Sequence, residues 1–412
     1  MKTLKKALCA LLCAAALSCA AGCWNKQEPQ DLAIIHSMIY DVDEDGQFIL
    51  TVEIMNPSDT SGGTDGGGGT TESLIAVGKG ESVREAVSNV SKSVEKFVFA
   101  GHNKARIFTE RFAESEIPNL LDFLCRDHLT DEMPIMIVIK GKTPEEVHFC
   151  SSGFSDMIGD YFKDLSKIQR EHTSKAVFVT TLDFIKDYLI DGKQPVTGVA
   201  ELKSQDTPQK SEGQQGGGEQ QKGDKQQGGE KKLVLYEGLA AFKDGKLAGF
   251  LNGEETRAYN ILINDLGNAY ITIPSGDGLT VFKIEDSRAD ITASVNGGDI
   301  SFYVNIQMIL NIREESGGID ISKDQWLKII EQRFNEKMQE EIKLAIQKVQ
   351  REFASDIFGF GRHLHLQLPE KWREFKNNWD DYFAKAVFYV TVDSTVNRTG
   401  QIKGPFKAGR EQ

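Results

Sequence analysis

No apolar run in this chain reaches the ~20 residues that a membrane-spanning helix needs. Positive charge is also short: 48 Lys and Arg stand against 61 Asp and Glu, a formal net charge of −13. That balance argues against nucleic acid as a partner and against docking on anionic lipid by a basic patch. Cysteine is nearly absent from the body of the chain. Four of the six (Cys9, Cys13, Cys19 and Cys23) fall in the first 23 residues, which leaves Cys125 and Cys150. Two cysteines are no disulfide framework; they either pair or stand as two buried thiols. Catalytic signatures are missing as well: there is no H-E-x-x-H, G-x-S-x-G, P-loop or C-x-x-C. Gly359-Phe360-Gly361 lacks the third glycine and the preceding strand of a dinucleotide fingerprint, and reads as a glycine turn ending a helical region. His363 and His365 would share one face of a strand, but no neighbouring Cys/His set completes a metal site. His102, after Gly101, reads as a hydrogen-bonding turn residue. These absences predict a protein that is not an enzyme and carries no cofactor.

What the chain does have begins at its amino end. Lys2, Lys5 and Lys6 precede the apolar run Ala7 to Leu17 and the small residues Ala20-Ala21-Gly22, the layout of a secretory signal peptide over residues 1–22. Cys23 follows at once, and the pattern resembles a bacterial lipobox whose thiol receives diacylglycerol. Ala20 stands where that pattern usually has Leu, and Cys19 is a second candidate. Lipidation is assigned to Cys23 on this pattern, and two acyl chains there would give the stable anchoring that one cannot. Removing residues 1–22 takes away three lysines and no acids, so the mature balance is −16. The remaining length suits two or three domains.

Two stretches cannot build a core. Residues 58–71 hold eight polar or charged residues and six glycines, and read as a flexible surface loop. Residues 204–230 are Gln/Gly/Lys/Glu-rich without one aliphatic or aromatic side chain. Nothing there offsets the entropy of ordering, so the stretch reads as a disordered linker dividing the chain.

Before it, residues 23–203 alternate strands and helices, an N-terminal α/β domain. Ala33–Val42 and Phe48–Met55 flank the turn signal Asp43-Glu44-Asp45-Gly46, which lacks the spacing of a calcium loop. Ser82 and Glu85 form a capping box for a helix with Val83, Ala86, Val87, Val90 and Val94 on one face. A second box opens at Thr143 with Pro144 at N1. Strands are expected over Lys104–Thr109, Pro134–Lys140 and Val196–Lys203, and helices over Ile117–Cys125, Asp156–Ile168 and Leu182–Ile190. After the linker, a hairpin around Asp244-Gly245, a helix over Glu254–Ile263 and a strand at Ala269–Ile273 suggest a small middle domain, 231–278. The C-terminal domain, 279–402, should be α+β. Strands near Thr280–Glu285, Ile291–Val295 and Ile300–Arg313 precede a long helix that Ser322 caps and that runs to about Phe353. A further helix from Pro369 carries Trp372, Phe375, Trp379, Tyr382 and Phe383, and Ala386–Val396 rejoins an antiparallel sheet. The fold class is α+β, with three mixed α/β domains.

Several segments together resemble the Ger(x)C family, the lipoprotein C subunits of spore germinant receptors. They are Gly22-Cys23-Trp24-Asn25 with Asp31-Leu32-Ala33-Ile34, where the family usually has Asp at the place of Asn25; Phe97 to Lys104, matching an F-x-G-H-x-K segment; Gly238 to Asp244 with Gly249 and Glu254-Glu255-Thr256-Arg257; and Asp356 to Gly361 with Trp372, Trp379 and Arg398-Thr399-Gly400. The resemblance implies three mixed α/β domains and a non-enzymatic subunit that assembles with integral membrane A and B subunits. It places the protein in the spore inner membrane, lipid-anchored on the extracytoplasmic face, supporting receptor assembly or signalling. It carries over no catalytic residues. The alternative is a solute-binding lipoprotein of a transport system, which calls for two similar α/β lobes around a cleft.

Overall fold

The computed structural model describes residues 28–55, 73–127, 131, 133–141, 144–147, 155, 157–204, 232–318 and 323–398, with Lys6. The expected signal peptide apart from Lys6, Cys23, the 58–71 loop, the Thr143 and Ser322 caps, Cys150 and the 204–230 linker beyond Ser204 lie outside the described residues.

The first sheet has nine strands: β1 (Leu32–Val42), β2 (Phe48–Met55), β3 (Ser73–Gly80), β4 (Phe97–Phe99), β5 (Ala105–Thr109), β6 (Ile135–Lys140), β7 (Val196–Ser204), β8 (Lys232–Lys243) and β9 (Lys246–Leu251). Their order is β3-β2-β1-β5-β6-β7-β8-β9, with β4 beside the start of β1. Strands β1, β5, β6 and β7 run parallel, and an antiparallel pair closes each side. The β1–β2 turn forms as expected: the Asp43 carboxylate accepts from the backbone N–H groups of Asp45 and Gln47. Strands β3 and β4 were not expected, since one follows a glycine-rich stretch and the other is only three residues long.

Helices cover both faces. On one lie α1 (Val83–Val90), α2 (Glu110–Ser115) and α3 (Ile117–Arg126); Phe112, Ile117 and Leu120 meet Tyr40, Phe108 and Val138 there. The Ser82 hydroxyl caps α1 by accepting from the Glu85 N–H, while Glu85 reaches back to the Glu81 N–H. On the other face lie α4 (Pro144–Val147) and α5 (Ile158–Thr173), whose Val147, Ile158 and Phe162 pack on Ile39, Ile107 and Ile137. Helix α6 (Thr181–Leu189) returns Phe184 to the first face, and its Thr180–Asp183 capping box fixes where it starts. Cys125 is exposed on α3 as a free thiol, so the reading of two buried thiols fails there: the apolar face of α3 is made by Ile117, Leu120, Leu121 and Leu124.

The small middle domain expected over 231–278 has no sheet of its own. Strand β8 pairs with β7 from Ser204↔Lys232 to Val196↔Ala241, so the hairpin extends the first sheet. The strands on either side of the Gln/Gly-rich stretch therefore belong to one sheet. Composition shows where a core cannot form, but it cannot show that the flanking strands pair. After α7 (Gly253–Leu262), the next strand, β10 (Ala269–Ser275), opens the second sheet.

That sheet runs β10-β11-β12-β13, with β11 (Gly278–Asn296), β12 (Asp299–Glu315) and β13 (Val387–Arg398). The two strands expected at 280–285 and 291–295 are one continuous strand. The polar Asp286-Ser287-Arg288 interrupts the apolar pattern without breaking the ladder, which absorbs it as a register shift at Ile284/Asp286. The first three strands are antiparallel, and β13 adds parallel to β12, Ser301↔Val387 through Leu310↔Val396. A helical crossover links these last two strands, and such a connection can return a strand in its original direction. The crossover comprises α8 (Asp324–Lys348), a π-helical turn at Val349–Phe353, α9 (Phe360–Gln367), α10 (Pro369–Phe375) and α11 (Trp379–Lys385). Helix α8 is 25 residues long, about 38 Å. It lays Ile330, Phe334, Met338 and Ile342 across one face of the sheet. Trp372, Trp379 and Phe383 are buried with them, as the apolar stripe predicts.

Candidate functional site at the seam of the two sheets

Two of the segments that the sequence singles out, Gly238 to Arg257 and Asp356 to Gly361 with Trp379, converge where the two sheets meet. Asp356, between the π-helical turn and α9, is fully buried. One carboxylate oxygen accepts from the N–H groups of Gly359 (2.9 Å) and Phe360 (3.1 Å); the other accepts from Gly361 N–H (2.7 Å) and Trp379 Nε1 (3.0 Å). Burial pushes this carboxyl up to about 6, against the pull of those four donors. Its carbonyl accepts from the N–H of Gln194, in the loop after α6, and the Gly192 carbonyl accepts from the N–H of Arg362 at 3.0 Å. The first sheet's loop is thus stitched to the start of α9.

Glycine is required on both sides of that stitch. A Cβ on Gly361 would lie 2.7 Å from the Trp379 ring and 2.8 Å from the Gly192 Cα. A Cβ on Gly192, which has a φ of +79°, would lie 2.5 Å from the Gly361 carbonyl carbon. Contrary to the sequence reading, Gly359 opens a helix instead of ending one: it is the N-cap residue of α9, and the preceding turn ends at Ala354.

The second set of ties runs through α7. Arg257, 5% exposed at its side chain, meets Glu341 of α8 at 2.8 Å. Lys348 bridges Glu255 (2.8 Å) and the Phe250 carbonyl (3.0 Å), and Lys175 meets Glu254 at 2.7 Å. Asn260 donates to the Ser174 and Ala176 carbonyls, and Arg170 pairs with Asp265. The Glu254-Glu255-Thr256-Arg257 segment therefore clamps α8 to the first sheet. Ser355 adds a 2.6 Å bond to the Phe242 carbonyl. Beside the seam opens a polar cleft of about 630 Å³, lined by Lys193, Lys243, Lys376, Asp244, Asp380 and Asp381, with Lys243 and Asp380 paired across it at 3.1 Å. The arrangement holds two bodies in register. Both oxygens of its buried carboxylate are engaged by donors of its own chain, and no side-chain nucleophile adjoins it in these contacts.

A second buried polar cluster sits at the start of α5. Glu53 accepts from Ser37 Oγ (2.9 Å) and from the N–H groups of Ile158 (2.8 Å) and Gly159 (3.2 Å), and burial raises its carboxyl. His36 lies 3.3 Å from Asp160, with burial holding its imidazole below the usual value.

The remaining residues weighed from sequence fall apart. His102 is exposed in a turn, edge-on to Phe99 at 5.9 Å. His363 and His365 lie on α9 instead of a strand, where a two-residue spacing does not share a face. His365 stacks on Trp372 at 5.6 Å. Among the described residues no cluster of three or more His, Cys, Asp or Glu is arranged to hold a metal. Sequence reasoning missed Asp356 as a residue with a role of its own; its signal was an acid three residues ahead of a Gly-x-Gly.

Two family profiles match the chain: a spore germination protein N-terminal domain over residues 25–202 and a spore germination B3/GerAC-like C-terminal domain over residues 237–400. The gap between them brackets the hairpin tip. Spore germination protein KC of Bacillus subtilis is 23% identical over 429 residues, spanning 98% of both chains. Spore germination protein B3 of the same organism is 22% identical over 389 residues, spanning 92% of this chain and 95% of its own. The crystal structure of the GerBC protein superposes with a TM-score of 0.52 at 16% identity, covering 87% of this chain and 96% of that one. That likeness establishes a common α+β fold.

Proposed function

Because this chain belongs to the Ger(x)C family, the C subunits of spore germinant receptors, we propose that it is a lipid-anchored, non-enzymatic subunit of such a receptor. Acyl chains on Cys23 hold it on the extracytoplasmic face of the spore inner membrane, where it supports assembly or signalling with integral membrane A and B subunits. The observation that carries this reading is the end-to-end match to germination proteins, with two of the family's segments spent on the seam between the sheets. No helix among the described residues is long and apolar enough to cross a membrane, in keeping with attachment by lipid. The solute-binding alternative calls for two similar lobes, and sheets of nine and four strands with unlike topologies do not supply them.

Pull-down from spore membranes tests the partner claim. Co-purifying proteins with many spanning helices support it; a transport ATPase overturns it. Cys23→Ala should abolish fatty-acid labelling while leaving the fold intact, and undiminished label in that variant rules out Cys23.

A further inference from the structure

Three large apolar side chains that the fold leaves exposed stand at one end of the first sheet. Phe97 is 61% exposed, Met133 58% and Leu74 51%. Ladder registers put them at the same end, within about three residues of one another along the strand direction, or ~10 Å. Phe97 pairs with Leu32 at the start of β1. Leu74 pairs with Ile54, which pairs with Ile35. Met133 lies two residues before Ile135, whose partner Ala105 is level with Ser37. They sit on, or lead into, β4, β3 and β6, so they spread over about 19 Å at the usual strand spacing. Between them lies the start of β1, where the described body of the chain begins. Leu32 is nine residues from Cys23, at most about 30 Å of extended chain.

We propose that this end of the sheet is a foot that rests on the bilayer, with Phe97, Leu74 and Met133 entering its interfacial layer. The inference rests on the anchor reading of Cys23. An anchor that short keeps the foot at the membrane, and separate apolar tips on strand ends suit a soft planar surface better than the pocket-and-anchor fit of a protein interface. The contact is mainly apolar: Lys92 and Lys96 beside Phe97 are partly offset by Glu95, and the chain as a whole is acidic. The foot also fixes orientation. Strand β7 runs parallel to β1, β5 and β6, so Ser204 and its partner Lys232 lie at the opposite end of the sheet.

The test uses the acylated full-length protein in phosphatidylcholine vesicles, with Cys125→Ser and Cys150→Ser. An environment-sensitive nitrobenzoxadiazole label is attached at Phe97→Cys or, as control, at Tyr303→Cys on the open face of the second sheet. The label at position 97 should shift to shorter wavelength and be quenched several-fold by brominated lipid, while the label at 303 stays water-like. A protein that floats with vesicles yet keeps a water-like label at 97 overturns the foot alone. A label shielded only after integral receptor subunits are co-reconstituted overturns it in favour of a protein contact. Failure to float overturns the anchor reading and the foot with it.

Discussion

The two sheets solve the burial problem differently. In the first, helices cover both faces, so β5 and β6 at its centre are buried on both sides: Ile135, Met136, Ile137, Val138 and Ile139 are all inaccessible or nearly so. In the second, helices α8 to α11 cover one face and the other meets water. Strand β12 accordingly alternates, with Phe302, Val304 and Ile306 inside and Tyr303, Asn305 and Gln307 outside. A continuous apolar run and a strict alternation are thus two readings of one rule, that side chains match the number of covered faces. Tyr303 and Tyr389, stacked at 5.0 Å on the open face, show what alternation leaves over.

That comparison can be broken most directly by neighbouring substitutions. Phe302→Ala should cost about 3–5 kcal/mol, the range for emptying a large buried aromatic site, whereas Tyr303→Ala next to it should stay below ~1 kcal/mol. In β6, by contrast, Ile137→Ala should cost about 2–5 kcal/mol and Val138→Ala a similar amount, although they point to opposite faces. Denaturant midpoints of the four variants decide the matter; a small loss at either β6 position would mean that one face there is effectively open.

The seam between the sheets sharpens the comparison through pH. The Asp356 carboxyl is raised to about 6 in the folded protein, so the folded state holds that proton more tightly than the unfolded chain does. This group's contribution is therefore greatest below the ordinary carboxylate range and falls as pH rises to about 6, by on the order of 3 kcal/mol in all. Asp356→Asn should remove that slope. Stability curves of the two proteins between pH 4 and 7 should converge as pH rises; parallel curves would show that the carboxyl titrates normally. The smallest effect is expected at the hairpin tip. Deleting residues 211–229 removes no apolar side chain and should leave the melting temperature nearly unchanged. A drop of several degrees would show that this stretch packs against the sheet.

Most elements were legible because their signals are local. The α1 and α6 helices carry caps and apolar stripes, β6 is an uninterrupted apolar run, and Trp372 and Trp379 share a stripe that had to be buried. What escaped depends on partners distant in sequence. The parallel addition of β13 follows from the path of the helical crossover, and the pairing of β7 with β8 from register across a long insertion. Asp286-Ser287-Arg288 reads as a break because a bulge needs a neighbouring strand to reveal it. The seam shows the same division. Its segments were visible as resemblance, yet the approach of Gly192 to Gly361 joins residues far apart in the chain, and nothing near either one announces it.

The hairpin closed by Ser204 and Lys232 has a consequence for polymer statistics. When the ends of a segment are already held side by side, lengthening it costs only the logarithm of its length, about 0.6 kcal/mol for each doubling. Length at that point is therefore nearly free to drift between related chains, whereas a one-residue slip in the closing ladder would turn Leu202 and Val234 to the wrong side of the sheet. An epitope or a fluorescent domain spliced into the tip would exploit the same indifference, reporting on the protein without disturbing the strands that carry it.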